Sequence, residues 1–252
     1  MRRRRHSLRT FAPLAAAGLA FGLWACDGPT IRIDGEKGVP LSELDLEGPV
    51  PREIALLGPD TVEITRGDRL AVTMDGSDES QAAMRFTLKN GTLSVLREGS
   101  LFDRSDRAIV RIAMPDPERL ILAGSGTIRS AHLAKEASVA VMGSGRAEVE
   151  TIDADRLEIA IMGSGVFAGS GTARELDLSV AGSGATRLAD LKVDRADVSV
   201  MGSGDSILAS DGTVNARIMG SGDVTVRGRA NCTLKSMGSG TLRCENASRD
   251  GA

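Results

Sequence analysis

The feature that most restricts what this chain can fold into is a tripeptide, Gly-Ser-Gly, recurring through the C-terminal half at almost constant spacing. Copies begin at Gly124, Gly143, Gly163, Gly182, Gly202, Gly220 and Gly238, at intervals of 19, 20, 19, 20, 18 and 18 residues. One further copy, Gly169-Ser170-Gly171, falls inside an interval. A period of this length marks stacked units, none of which can bury its apolar face alone. Counting back from each triplet, the second residue is Val141, Ile161, Val180, Val200, Ile218 or Ser236. The fourth is Val139, Ile159, Leu178, Val198, Ala216 or Leu234, and the sixth is Ala137, Leu157, Leu176, Ala196, Val214 or Cys232. Between them lie Glu158, Asp177, Asp197, Asn215, Lys235 and other polar or small residues. Period-two alternation of this kind puts one side in a core and the other in water. A shorter alternating run follows each triplet: Ala147 and Val149, Leu188, Leu208, Val224 and Val226, Leu242. These patterns predict an all-β, single-stranded parallel β-helix with coils of about 18–20 residues, its strands stacked about 4.8 Å apart.

Within such a coil the triplet reads as a corner. Glycine permits positive φ, and a small serine lets successive corners approach. Ser125, Ser144, Ser164, Ser183, Ser203, Ser221 and Ser239 are then expected to form one column. A phosphate-cradling loop would need a helix behind it, whereas strands flank every copy. Calcium is tempting, because 18 residues equal two nonapeptides and Asp205 and Asp223 follow triplets. The equivalent residues elsewhere, however, are Thr127, Arg146, Val166, Ala185 and Thr241, so no metal or cofactor is expected. Met142, Met162, Met201, Met219 and Met237 directly precede five of the triplets. Strict alternation points them outward, as an apolar stripe for a partner. The reading we prefer is that the corner turns each inward to plug the end of the core.

The flanks of the repeat carry the address. Residues 1–26 resemble an export signal: Arg2 to Arg5 and Arg9 are followed by a short apolar run from Phe11 to Ala25, too short to span a membrane comfortably. The run ends in Leu23-Trp24-Ala25-Cys26, which resembles a bacterial lipoprotein box and makes Cys26 the expected lipid attachment site. An ordinary cleaved signal is the alternative. Removing it takes away five of the 31 basic residues and none of the 34 acidic ones, leaving 26 against 34 and a net charge of −8. With no basic stripe and no aromatic platform, nucleic acid is not an expected partner.

Residues 27–41 read as a tether and 245–252 as a polar tail, with the β-helix occupying 42–244. Within it, 42–119 suggest less regular coils running on into the regular ones of 120–244. Asn90-Gly91 marks a tight turn between two alternating runs, and the two prolines of Met114-Pro115-Asp116-Pro117 exclude an interior strand there. In their order, "TVEITRGDRLAVTMDG", "LKNGTLSVL", "AIVRIAMPDPERLILAGSG" and the "MGSG" repeats resemble the head GIN domain family, secreted or surface proteins labelled as auto-transporter adhesins. The resemblance implies a right-handed β-helix and an adhesion or binding role.

Catalytic candidates are few. His132 is the one histidine left after the signal, so neither a triad nor a histidine metal cluster can be assembled. Glu148, Glu150, Asp153, Asp155 and Glu158, with Arg156 among them, could serve a carbohydrate-active enzyme on a β-helix scaffold. Alternating charges on a strand are more simply its solvated side. The expectation is therefore a non-enzymatic, exported protein of the bacterial cell envelope, lipid-anchored or periplasmic, that binds a glycan or a protein. Cys232 and Cys244 lie at inward positions on either side of the last corner. In an oxidising compartment they are expected to form a disulfide that staples the end of the stack.

The assignment of Cys26 is directly testable. Detergent phase partitioning of the wild type should recover it in the detergent phase and Cys26→Ala in the aqueous phase. Equal aqueous recovery of both would remove the anchor.

Overall fold

A computed structural model describes residues 38–98 and 107–245. Cys26, the export signal, the tether up to residue 37 and the tail from residue 246 lie outside the described residues. About seven turns of parallel β-solenoid account for nearly all of the fold. The first coil is β1 (Glu53–Gly58) and β2 (Thr61–Arg66), joined at the corner Gly58-Pro59-Asp60. This corner stacks on the first triplet: Gly58 pairs in register with Gly124, and the Gly126 and Thr127 amides donate to the Gly58 and Asp60 carbonyls. Sequence reasoning missed it because proline and aspartate replace the serine and the second glycine. Its signal was nevertheless present, since Leu56 and Ile54 keep the inward positions two and four residues before the glycine.

The chain then departs from the expected order. After β3 (Ala71–Asp75) comes a short helix, α1 (Asp78–Ala82), capped by the Ser77 side chain, which accepts from the Ser80 amide. β4 (Met84–Lys89) and β5 (Thr92–Arg97) form an antiparallel hairpin over Asn90-Gly91, both with positive φ, as the turn signal predicts. β5 and β6 (Ile109–Met114) do not continue outward from β1 and β2 towards the regular coils. They stack on the opposite side, β5 parallel to β1 and β6 parallel to β2. The next pair, β7 (Arg119–Gly124) and β8 (Thr127–His132), returns to the vacant side of the first coil. Residues 42–119 are thus not successive coils leading into the regular ones. The outermost coil, β5–β6, comes second along the chain, and antiparallel β3 and β4 cover its edges. The physical reason is the exposed edge: a parallel stack ends in unpaired backbone, which natural sheets cover or pair.

From β9 (Glu136–Gly143) the coils follow in chain order. β10 (Arg146–Gly163), β11 (Val166–Gly182), β12 (Ala185–Gly202) and β13 (Asp205–Gly220) each bend through most of a turn. The stack ends in β14 (Val224–Arg227), β15 (Asn231–Gly238) and β16 (Leu242–Glu245). Buried positions in β10 are Ala147, Val149, Ile152, Ala154, Leu157, Ile159 and Ile161. Their spacing widens from two to three at Val149/Ile152 and again at Ala154/Leu157, so each full coil has three sides, one more than the two runs read from the sequence. Val, Ile, Leu and Ala fill most of the narrow interior, and Phe86 and Phe167 are its largest side chains.

Glycine, more than serine, sets the corner. Gly163 has φ of +115°, and a Cβ there would lie 2.6 Å from the carbonyl oxygen of Gly143 in the coil before. At Gly165 a Cβ would meet Val141 Cγ1 at 2.5 Å. Ser164, between them, is exposed. Gly163→Ala is therefore expected to cost about 2–4 kcal/mol, and Ser164→Ala less than about 0.5 kcal/mol, as measured by urea unfolding. Equal losses from the two would show that the serine does the stacking.

Candidate functional site

The candidate surface is the outer face of the long side of each coil, the strand segment that enters the corner. Three parallel rows run along it. The row beside the corner is Leu57, Ala123, Met142, Met162, Ala181, Met201, Met219 and Met237, each in register with the next. The second is Ile121, Ala140, Ala160, Ser179, Ser199, Arg217 and Lys235, and the third includes Ser138, Glu158, Asp177, Asp197, Asn215 and Thr233. The face therefore grades from an apolar ridge, across a row that is small from Ala140 to Ser199 and basic at Arg217 and Lys235, to a row with three acids.

The methionines point outward, contrary to the reading that they plug the core. Met162, Met201, Met219 and Met237 are 49, 46, 50 and 75% exposed, and Met142 is half-buried. The interior has no room for them, because the residue two before each triplet already fills it. Val141 of one coil reaches beneath Gly165 of the next, and Ile161 reaches beneath Gly184. At the N-terminal end the same face carries a second apolar cluster, Ala55, Leu57 and Leu96, with Ile121 and Ala123 packed against it.

At the edge of this ridge the first glycines of the triplets pair in register from Gly124 to Gly238. Amides of Ser144, Ser164, Ser183, Ser203 and Ser221 donate to the first glycine of the coil before, at 2.9–3.0 Å. Ser125 is half-buried, and Ser239 Oγ donates to Ser221 Oγ at 3.2 Å. Cys232 and Cys244 are joined across the last corner, with Cα atoms 6.7 Å apart and both side chains packed against the end of the core.

The acidic residues considered for catalysis do not converge. Glu148 pairs with Arg129 at 3.1 Å, Asp153 with Lys135 at 2.6 Å and Asp155 with Arg174 at 3.3 Å, all partners on neighbouring coils. Arg156 bridges to Glu175 and Asp177. A shallow depression of about 390 Å³ lies over Lys135, Asp153, Asp155, Arg174, Lys192 and Asp194, and its charges alternate in sign. Lys135, hydrogen-bonded to Asp153, holds that carboxyl below the usual range, the opposite of what a general acid needs. His132 ends β8, half-buried and in register with Thr151. Among the described residues no group of three His, Cys, Asp or Glu side chains is placed to hold a metal ion.

Asp205 and Asp223, the residues that suggested calcium, instead tie corners together. Asp223 Oδ1 accepts from the Thr241 hydroxyl at 2.6 Å and the Thr241 amide at 3.0 Å, and Asp205 Oδ1 accepts from the Asp223 amide at 3.3 Å.

The comparisons agree with this geometry. The family model described as "Putative auto-transporter adhesin, head GIN domain" matches residues 51–230. The chain belongs to this family. No curated protein matches it. Among solved structures, a putative adhesin from Bacteroides fragilis is similar at 19% identity and a TM-score of 0.68, covering 77% of this chain and 92% of that one. A putative lipid binding protein from Parabacteroides distasonis is similar at 18% identity and a TM-score of 0.61, with the same coverage. A putative adhesin from Parabacteroides merdae follows at 17% and 0.60, again with that coverage. At such identities the likeness establishes the shared fold.

The hydrogen bonds to Asp223 and Asp211 predict a pH dependence at the C-terminal end of this head domain. The Thr241 hydroxyl and amide hold Asp223 below the ordinary Asp value, and the Arg229 amide does the same for Asp211. A depressed folded-state pKa stabilises above the unfolded value of about 3.9 and ceases to do so as pH falls through the folded value. Amide hydrogen exchange should therefore show β14–β16 opening before the central coils below about pH 4. Asp223→Asn should remove part of that difference, and uniform acid opening along the stack would contradict it.

Proposed function

We propose that this protein is a non-enzymatic binding protein of the bacterial cell envelope, and that the long-side outer face is its contact surface. The observation that carries this reading is the outward methionine row, an unbranched and adaptable apolar ridge on a flat, regular sheet. Contiguous exposed apolar surface of this kind marks interaction sites. Membership in an adhesin head family, and relatives named as adhesins, support a binding role at the cell surface or envelope. The ligand class we favour is the apolar surface of another protein. Glycan sites are commonly built on exposed aromatic rings, and the aromatic residues among those described, Phe86 and Phe167, are both fully buried. We further propose that Cys26 carries a lipid that holds the head at the membrane.

A carbohydrate-active enzyme on the same scaffold is the second reading, with the depression around Asp153 and Asp194 as its site. The alternating ion pairs there favour a solvated surface over a catalytic cleft.

The test uses the chain from Asp27 onward, immobilised and exposed to detergent-solubilised envelope proteins and, separately, to a glycan array. Replacing Met201, Met219 and Met237 together by Glu should lower retention of envelope protein at least tenfold while leaving the thermal midpoint within a few degrees. Glycan binding that the triple variant retains in full would overturn the assignment of both face and ligand.

A further inference from the structure

Methionine is placed in this chain with a selectivity that packing alone does not require. Of nine methionines, five follow residue 115, and all five stand in the single row beside the corner. The buried apolar positions of the same coils use Val, Ile, Leu, Ala and Phe, with no methionine among them. A ridge selected only for apolarity could be built of Leu or Val. Beyond Leu57 this row holds Met or Ala and nothing else. The row falls into two runs separated by Ala181: the pair Met142–Met162 and the trio Met201–Met219–Met237.

A thioether is a soft donor and selects soft cations such as Cu(I). Successive rungs of a parallel stack are about 4.8 Å apart, close to twice a metal–sulfur bond of about 2.3 Å. Two neighbouring sulfurs, each on an unbranched side chain that reaches solvent, can therefore grip one ion between them in a nearly straight S–metal–S line without moving the backbone. That is a coordination that closed-shell monovalent ions accept. Of the other described sulfurs, those of Met84 and Met114 are fully buried, that of Met74 belongs to a half-buried side chain packed against the core, and those of Cys232 and Cys244 are joined to each other, so the methionine row is the exposed soft-donor surface of the described residues. Hard-donor clusters do not compete, since no such group is found among the described residues.

We propose that the methionine row is a binding site for soft monovalent cations, Cu(I) or Ag(I), held between adjacent rungs, with one ion in each run. Within the trio Met219 is the indispensable member, because Met201 and Met237 are two rungs apart without it. This inference goes beyond the contact-face reading and does not depend on it.

The experiment is an anaerobic Cu(I) titration of the chain from Asp27 onward, with its disulfide intact and its methionine methyl groups labelled for NMR. About two equivalents should bind, shifting the methyl signals of all five row methionines and leaving Met74, Met84 and Met114 in place. Met219→Leu should halve the uptake and leave Met142 and Met162 responding. Met162→Leu combined with Met219→Leu should abolish it, whereas Zn(II) should shift none of these signals in the wild type. Uptake by the double variant equal to wild type, or unmoved methyl signals up to millimolar Cu(I), would overturn the proposal. Leucine keeps the ridge apolar, so loss of Cu(I) with envelope binding intact separates this site from the contact face. Loss of envelope binding in the glutamate variant, with Cu(I) binding absent already in the wild type, would leave the contact face standing alone.

Discussion

Every feature of this molecule depends on how closely one corner can lie on the next. The first glycine of each evenly spaced triplet takes a positive φ, and from Gly124 to Gly220 its carbonyl accepts an amide from the following coil. At Gly163 the place where a Cβ would sit is 2.6 Å from the Gly143 carbonyl oxygen. No side chain fits there, so the coils stay at sheet spacing at a point where the chain turns sharply. That contact fixes the register of the strand segments that enter and leave the corner, and bulges at Val149/Ile152, Ala168/Gly171 and Leu188/Lys192 take up the differences in coil length further round. It also explains why the inward rows can be built from small aliphatic residues: the interior is narrow, and each coil fills it for its neighbour.

The two ends need different solutions, since a stack of parallel strands always ends in unpaired edges. At the N-terminal end the chain covers the outer coil with antiparallel β3 and β4. A buried ion pair, Arg97 with Asp60, joins this outer coil to the first corner, and the Ala108 amide also donates to Asp60. Breaking one partner of so buried a pair strands a charge, at a cost of about 3–5 kcal/mol. At the C-terminal end β15 and β16 are half or fully exposed, and the Cys232–Cys244 link and the Asp223–Thr241 bonds hold them. One end is secured by burial and the other by cross-links.

Between these ends the long side offers a surface of unusual uniformity. Ion pairs on the other sides run from coil to coil and neutralise each other locally, leaving no concentrated charge. The methionine row is the exception, because its side chains have no partner of their own kind within the fold except the next methionine. An envelope protein that displays such a row has, in one place, both an adaptable apolar contact surface and a line of soft donor atoms.

How much of this was legible in the sequence follows from the range of the interactions concerned. The repeat, the inward rows such as Val139/Val141 and Leu157/Ile159/Ile161, the Asn90-Gly91 turn and the family were all readable, because alternation and glycine spacing are local and repeat without interruption. The position of the β5–β6 coil was not readable, since β1 can pair with either neighbour and only the need to cover an edge decides between them. Nor was the third side of each coil, whose sign is a change of spacing from two to three at Val149/Ile152 that can be seen only once burial is known. The direction of the methionines was misread for a related reason. Whether Met162 faces in or out depends on whether Val141, a coil away, already occupies the space beneath Gly165. The sequence alone determined the coil and its period; tertiary packing decided the order of the coils at the N-terminal end and which side chains were left for the solvent, because both depend on space already filled by a neighbouring coil.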